Sequence, residues 1–213
     1  WVGAIDWAIR DFHGYVTKNG TTYNNYLIKD EQITLIDTVK HDFCSVTLDN
    51  IKRIADLSEI KNVVINHIEP DHASSIDMIM KIMPNATVYI SERGKKGIER
   101  YFDTSKWTIK VVKNGDVLNI GKYTLLFLET PMLHWPDSMV TYVKEAKLLI
   151  SQDAGWYRVE EPDGGMNKFN PYIHIPEILI PALVRDISED IINIIFIENP
   201  TRALSISGRK LCS

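Results

Sequence analysis

The segment INHIEPDHASS, at positions 65–75, contains two histidines and two carboxylates within six consecutive residues. His67, Glu69, Asp71 and His72 follow directly after an apolar run. Charged side chains this dense at the end of a buried strand cost free energy unless each is solvated, paired or bound to a cation. A metal ion would satisfy all four at once, so we expect a metal site in this segment.

The types of donor indicate the class of metal. Imidazole nitrogen and carboxylate oxygen suit iron, manganese or zinc, and the absence of a thiolate argues against a structural zinc site. His67, Glu69 and Asp71 alternate, so an extended chain would point them one way and His72 another. Such a loop can supply two metal ions. The alternative is a solvated polar loop shaped by Pro70.

Further ligands are expected at the ends of later strands. His134 follows the strand that ends at Glu129, and Asp153 follows the next one. Because all of these residues fall at the exits of predicted strands, we expect them to converge. The alternatives are that His134 is only packed against Trp135 and that Asp153 is only a turn residue.

The elements that must position these residues form a layered α/β pattern. Strands are predicted on both sides of a turn at 29–32, then at NVVIN, ATVYIS, WTIKVV, VLNI, YTLLFLE, MVTYV and KLLIS. Helices are predicted at 43–55, in SSIDMIMKIM and at 175–185, and IINIIFI at 191–197 is predicted as a strand. This order predicts one domain over 1–213, with two packed sheets and helices outside.

Composition excludes several classes of protein. Of the 213 residues, 45% are hydrophobic and 24% charged, which argues against disorder. The net charge of −4, with scattered basic residues, argues against nucleic acid as a partner. No apolar run is long enough to span a bilayer, and no signal peptide is visible. Two distant cysteines, Cys44 and Cys212, fit a reducing cytoplasm. The start at Trp1 suggests that an upstream segment has been lost.

The segments WVGAIDW, DFHGY, GTTYNNYLI, HIEPDH, MLHWPDS and SQDAG, in this order, resemble the metallo-β-lactamase-like domain of flavodiiron proteins, also called A-type flavoproteins. The resemblance covers residues 1 to 155 and weakens beyond. It implies a four-layer αβ/βα sandwich that holds two non-haem irons. It also implies an oxidoreductase that reduces O2 to water or NO to N2O.

The resemblance also implies roles for individual residues. His67, Glu69 and His134 would hold one iron, Asp71 and His72 the other, and Asp153 would bridge them. Zinc hydrolases of this superfamily usually carry His where Glu69 stands, and a carboxylate there stabilises ferric iron.

Two further residues are assigned by the same resemblance. His13 of DFHGY matches a family histidine near the metals, where it could hydrogen-bond a diatomic ligand; the alternative is a surface histidine. Trp135 would line the pocket that receives the flavin, although packing alone also explains a Trp there.

The chain departs from the family near its carboxyl end. The family closes its second iron site with a histidine in a PSHG segment that this sequence lacks. Glu198, after the predicted strand at 191–197, is the first candidate replacement, and His174 is the second. As a ligand, Glu198 would make the cluster more negative and favour the diferric state. The other interpretation is an end that is divergent or truncated from about residue 156, with a weak second site.

The second departure concerns the electron donor. Flavodiiron proteins continue into a flavodoxin-like domain that carries FMN, and no such domain follows in this sequence. We therefore expect an O2 or NO reductase core that takes electrons from a missing or separate flavodoxin-like domain or from rubredoxin. The resemblance implies a head-to-tail homodimer. A diiron oxygen sensor without turnover and a zinc-dependent hydrolase of the lactamase or glyoxalase type remain alternatives.

Overall fold

The computed structural model describes residues 1–12, 15–150, 177 and 179–199. These residues contain thirteen strands and six α-helices. The strands are β1 (Ala4–Asp6), β2 (Asp11–Phe12), β3 (Tyr15–Val16), β4 (Thr21–Tyr23), β5 (Tyr26–Ile28), β6 (Ile33–Ile36), β7 (Ile60–Ile65), β8 (Thr87–Ser91), β9 (Thr108–Val112), β10 (Val117–Asn119), β11 (Thr124–Glu129), β12 (Met139–Val143) and β13 (Leu148–Ile150). The helices are α1 (Cys44–Lys52), α2 (Pro70–Ala73), α3 (Ile76–Ile82), α4 (Glu92–Tyr101), α5 (Ile180–Leu183) and α6 (Glu189–Asn193).

The first large sheet has the order β5-β6-β7-β8-β9. Strand β5 is antiparallel to β6, and the other pairs are parallel. Parallel neighbours require crossover connections, which helices α1, α3 and α4 supply. The carboxyl ends of β6, β7 and β8 therefore meet at one edge of the sheet, where the segment with the predicted ligands begins.

The second large sheet is an antiparallel meander with the order β10-β11-β12-β13. Its strands β11 and β12 pair closely, with Phe127 opposite Thr141. Strand β11 runs toward the edge that carries the motif, and β12 runs away from it. The loop between these two strands carries His134.

Burial defines the layers of the fold. Alternate residues of β7 enter different cores: Val63 and Ile65 pack with the helices α1, α3 and α4, whereas Val64 packs with Phe127 of the other sheet. On the far side of the second sheet, Tyr142 packs with residues of α5 and α6. The order helices, sheet, sheet, helices confirms the predicted four-layer sandwich.

The strand predicted at 191–197 is wrong. Helix α6 is followed by a π-helical turn at Ile194–Glu198, and the buried residues Ile192 and Ile195 are spaced as on one side of a helix. A short run rich in isoleucine cannot be assigned to strand or helix by periodicity alone. The acidic pair after Ser188 is a helix-start signal that the strand prediction overlooked.

Helix α4 was not predicted, although its sequence carries local signals. Ser91 caps it, because the backbone N–H of Gly94 donates to Ser91 Oγ at 3.0 Å. Ion pairs at helical spacing join Lys95 to Glu99 and Lys96 to Glu92. Its amino end packs beside the loop that carries His134, so the helix also bears on the site.

Among the described residues, no helix has both the length and the apolar character needed to cross a membrane. That the whole chain, 1–213, forms one domain stays a prediction.

Candidate metal centre

Asn66 fixes the exit of β7, directly before His67. Its backbone N–H donates to Asp37 Oδ1 at 2.7 Å, and Thr141 Oγ1 donates to its side-chain oxygen at 2.8 Å. Its carbonyl accepts the backbone N–H of Met139 at 2.9 Å. Because Asp37 follows β6 and Thr141 lies in β12, Asn66 joins the two sheets at the point where the motif starts.

The motif is extended only as far as Glu69. Glu69 is the N-cap of helix α2, and Pro70 occupies the first helical position, where its missing N–H costs nothing. The expectation that Asp71 continues the extended alternation is therefore wrong, since Asp71 and His72 are helical. Thr38 holds this turn, because its backbone N–H and its Oγ1 donate to the His72 carbonyl at 2.8 and 2.6 Å.

Three of the predicted ligands converge. Glu69 Oε2 lies 3.0 Å from His67 Nε2 and 2.9 Å from His134 Nε2. One donor atom from each residue lies within 4.8 Å of the other two. His67 is 3% exposed and Glu69 6% exposed, so water screens these groups little. Two imidazoles and a carboxylate gathered in this way fit an ion such as iron or zinc.

A second carboxylate contacts His67 on the opposite side of its ring. Asp137 Oδ2 lies 3.1 Å from His67 Nδ1 and accepts the backbone N–H of Ile68 at 2.9 Å. Burial disfavours the charged ring, but the hydrogen bonds to Asp137 and Glu69 outweigh it and raise the pKa of His67 to about 9. Burial likewise opposes ionisation of Asp137, yet contact with His67 lowers its pKa. The pair of carboxylates therefore favours a positive charge at this position.

Sequence reasoning missed Asp137. The available signal was a carboxylate three residues after His134, within the same loop at a strand end. Its partner His67 lies 70 residues earlier in the chain, so only the packing of the two sheets shows that they meet.

Asp71 and His72 lie beside the three-donor cluster. His72 Nε2 is 3.4 Å from Asp71 Oδ2, and both side chains are mostly buried. The rings of His67 and His72 have centroids 5.5 Å apart. The structure therefore brings five of the predicted ligands to one edge of the sandwich.

The loop at 130–138 orients His134 and Trp135. Its ends are joined by the bond from the Thr130 N–H to the Ser138 carbonyl, at 2.9 Å. Met132 adopts a left-handed conformation with φ of 64°, and its N–H donates to the Trp135 carbonyl. The Trp135 ring meets His67 edge-on, at 5.2 Å between centroids and 80° between planes. Trp135 thus packs against the cluster, and its role toward a flavin stays a prediction.

Glu198 is not brought to this cluster. It is exposed at the end of the π-helical turn, and Asn193 Nδ2 donates to its carboxylate at 3.4 Å. The next residue, Asn199, donates to the Lys147 carbonyl in the β12–β13 turn. That turn is at the other end of the sheet from His134. Glu198 as a ligand therefore stays a prediction that the described geometry does not support. His13, Asp153 and His174 lie outside the described residues.

Comparison with known proteins gives a consistent result. The profile of the family described as "ODP family beta lactamase" matches residues 21–176. An uncharacterised protein of Methanocaldococcus jannaschii is 48% identical over 154 residues, which are 72% of this chain and 39% of that protein. The anaerobic nitric oxide reductase flavorubredoxin of Salmonella arizonae is 45% identical over 157 residues, or 72% of this chain and 33% of that protein. The chain thus spans between a third and two fifths of these relatives.

Solved structures share the fold. The flavodiiron protein of Giardia intestinalis superposes with a TM-score of 0.70 at 41% identity, over 76% of this chain and 40% of that chain. Rubredoxin oxygen:oxidoreductase of Desulfovibrio gigas gives a TM-score of 0.68 at 45% identity, over 70% of this chain and 38% of that one. The matched part in each case is the metallo-β-lactamase-like core.

Proposed function

The chain belongs to the ODP family of β-lactamase-like proteins and has the core fold of flavodiiron proteins, and from this premise we propose that it is the non-haem diiron core of an O2 or NO reductase. The observation that carries the proposal is the convergence of His67 Nε2, Glu69 Oε2 and His134 Nε2. The chain spans only part of the length of its relatives. We therefore propose their reductase activity for it on the basis of this three-donor cluster.

The donors divide into two groups. His67, Glu69 and His134 would hold one iron, and Asp71 and His72, which lie beside them, would contribute to the other. Asp153 is proposed as the bridge, on the resemblance alone. When bound, a pair of irons would supply the redox chemistry for reducing a diatomic molecule, with the electrons coming from the external donor.

The residues of the chain prepare the site for such ions. Asp137 and Glu69 surround His67 with negative charge, which compensates a bound cation. Trp135 packs edge-on against the His67 ring. Glu69 provides a hard oxygen donor, which favours iron over the softer coordination of zinc hydrolases.

The names of two relatives indicate the class of electron donor. One relative is a flavorubredoxin, and one solved structure is a rubredoxin oxygen:oxidoreductase. We propose that electrons reach this core from rubredoxin or from FMN on a flavodoxin-like domain. A head-to-tail homodimer, implied by the family resemblance, would bring such a domain to the site of the partner.

Iron loading followed by turnover tests the proposal. The protein is reconstituted with ferrous iron under anaerobic conditions, its metal content is measured, and consumption of O2 and of NO is followed with reduced rubredoxin. We expect about two irons per chain and consumption that His67→Ala abolishes. Asp30→Asn is the matched control, because Asp30 accepts backbone N–H groups at the other end of β6.

Two other results would identify the alternatives. Hydrolysis of a thioester or β-lactam by zinc-loaded protein, without any iron-dependent consumption of O2 or NO, would contradict the proposal in favour of a hydrolase. Reversible O2 binding without turnover would indicate a sensor.

A further inference from the structure

The carboxylate of Asp137 makes two contacts on the side of the His67 ring away from the three-donor cluster. Its Oδ2 lies 3.1 Å from His67 Nδ1 and accepts the Ile68 backbone N–H at 2.9 Å. Asp137 is 5% exposed. Since His67 presents Nε2 toward Glu69 and His134, a proton on its Nδ1 leaves the Nε2 lone pair for a cation.

The position of Asp137 is set from outside its own loop. Ser91 Oγ donates to the Asp137 carbonyl at 2.8 Å, and the Gly94 N–H donates to Ser91 Oγ at 3.0 Å. Arg93 Nη1 also donates to the carbonyl of the preceding residue, Pro136, at 3.2 Å. Ser91 and the first turn of α4 therefore hold the backbone at Pro136 and Asp137, from which the Asp137 carboxylate reaches His67.

We propose that Asp137 is a positioning residue that holds His67 in the Nδ1–H tautomer, with Nε2 as the metal-directed donor, and that its buried negative charge strengthens cation binding. This inference rests on the proposed metal-binding function. Asp137 itself is not proposed as a ligand, because its carboxylate contacts His67 Nδ1 and the Ile68 N–H, on the side of the ring away from Glu69 and His134. Carboxylates placed in this way orient histidine ligands and raise their basicity.

A purely structural role is the competing explanation, because the same carboxylate caps the Ile68 N–H. Asp137→Asn separates the two roles. Its amide oxygen can still accept from Ile68 and from His67 Nδ1–H, but the negative charge is gone. Asp137→Ala removes both contacts, and Asp137→Glu returns the charge on a longer side chain.

The test compares the wild-type protein, these three variants and the distant control Asp30→Asn. Fe(II) and Zn(II) affinities are measured by competition with a chelator, and the Fe(III)/Fe(II) midpoint potential by redox titration. We expect Asp137→Ala to lower the affinity for both ions about 10- to 100-fold. Asp137→Asn should raise the midpoint, because loss of a nearby negative charge disfavours ferric iron, and Asp137→Glu should restore it in part.

Nitrogen NMR of the zinc-loaded protein gives a readout independent of iron. The wild type should show a proton on Nδ1 of His67, and Asp137→Ala should lose that protected proton. Wild-type protein that takes up neither ion would overturn the proposed function and this inference together. Wild-type protein that loads normally, with Asp137→Asn at the wild-type affinity and midpoint, would overturn this inference alone. If Asp137→Ala fails to fold, Asp137→Asn decides the question.

Discussion

The carboxylate of Asp37 accepts the backbone N–H of Asn66 at 2.7 Å, so a side chain after β6 fixes the last residue before His67. Both partners are almost fully buried. Asp37 also takes a left-handed conformation, with φ of 56°, which Asp and Asn tolerate better than most residues. The loop that carries the predicted ligands is therefore positioned by the neighbouring strand.

Asp37→Ala should destabilise the protein and impair metal binding. It leaves the buried Asn66 N–H without this acceptor, which costs about 1–3 kcal/mol. Urea unfolding measures the stability, and iron content after reconstitution measures the site. Asp37→Asn is the matched variant, because its amide oxygen can still accept from Asn66, and it should lose less. Equal stability of the wild type and Asp37→Ala would contradict this role.

Glu69→His should shift the metal preference toward zinc. The variant replaces a hard, negative oxygen donor with a neutral nitrogen donor next to His67 and His134. The protein is loaded from an equimolar mixture of Fe(II) and Zn(II), and the bound ratio is determined by elemental analysis. Glu99→His, on the surface of α4, is the control for the change in charge. An unchanged ratio would show that Glu69 does not determine the choice of metal.

Ser91→Ala should cost more than an ordinary surface cap. It removes the acceptor for the Gly94 N–H and the donor to the Asp137 carbonyl, at an expected cost of about 1–2 kcal/mol in the free energy of unfolding. Ser188→Ala is the matched control, because Ser188 precedes α6 without a side-chain capping bond. In chemical denaturation, the free energy of unfolding of Ser91→Ala should be well below that of Ser188→Ala. An equal loss of stability in both variants would contradict the prediction.

Asp6 should make folding stability depend on acidic pH. Burial opposes its ionisation, but the Ala8 and Ile9 N–H groups and the Tyr23 hydroxyl donate to it and lower its pKa. A lowered pKa contributes stability that is complete above the unfolded-state value of about 3.9 and is lost as the pH falls through the folded value.

Unfolding free energies of the wild type and Asp6→Asn, measured from neutral to strongly acidic pH, test this. The advantage of the wild type should shrink as the pH falls below the unfolded-state value. A difference that stays constant over this range would mean that Asp6 does not contribute through its charge.

Glu198→Gln should leave iron affinity within about twofold of the wild type, because Glu198 contacts Asn193 and lies next to Asn199, which bonds to the end of the second sheet opposite His134. Its side chain is exposed and the adjacent Asn199 bonds at the β12–β13 turn. Chelator competition measures the effect, with Glu177→Gln, also exposed, as the control. A large loss of the second iron in Glu198→Gln alone would instead support the sequence-based assignment of Glu198 as a ligand.

The sequence predicted the strands, turns and helices that depend on residues close together in the chain. The continuous apolar run of β7, followed by His67 and Glu69, indicated a buried strand with candidate ligands at its end. Both features can be read from consecutive residues, because a buried parallel strand is a continuous apolar run and the donor types follow it directly. The turn at 29–32 and the hairpin of β12 and β13 were predicted for the same reason. The helical period before Pro84 likewise predicted α3.

Tertiary structure decided the rest. Only the packing of the two sheets brings Asp137 behind His67 and Asn66 onto Thr141, contacts that span 70 and 75 residues of sequence. It also decided that 191–197 is helical, because an isoleucine-rich run fits either period and its packing against the second sheet selects one. The sequence by itself determined which donors are present and that strands deliver them. Which donors meet, and what holds each ring, depended on contacts between residues far apart in the chain, which no local pattern encodes.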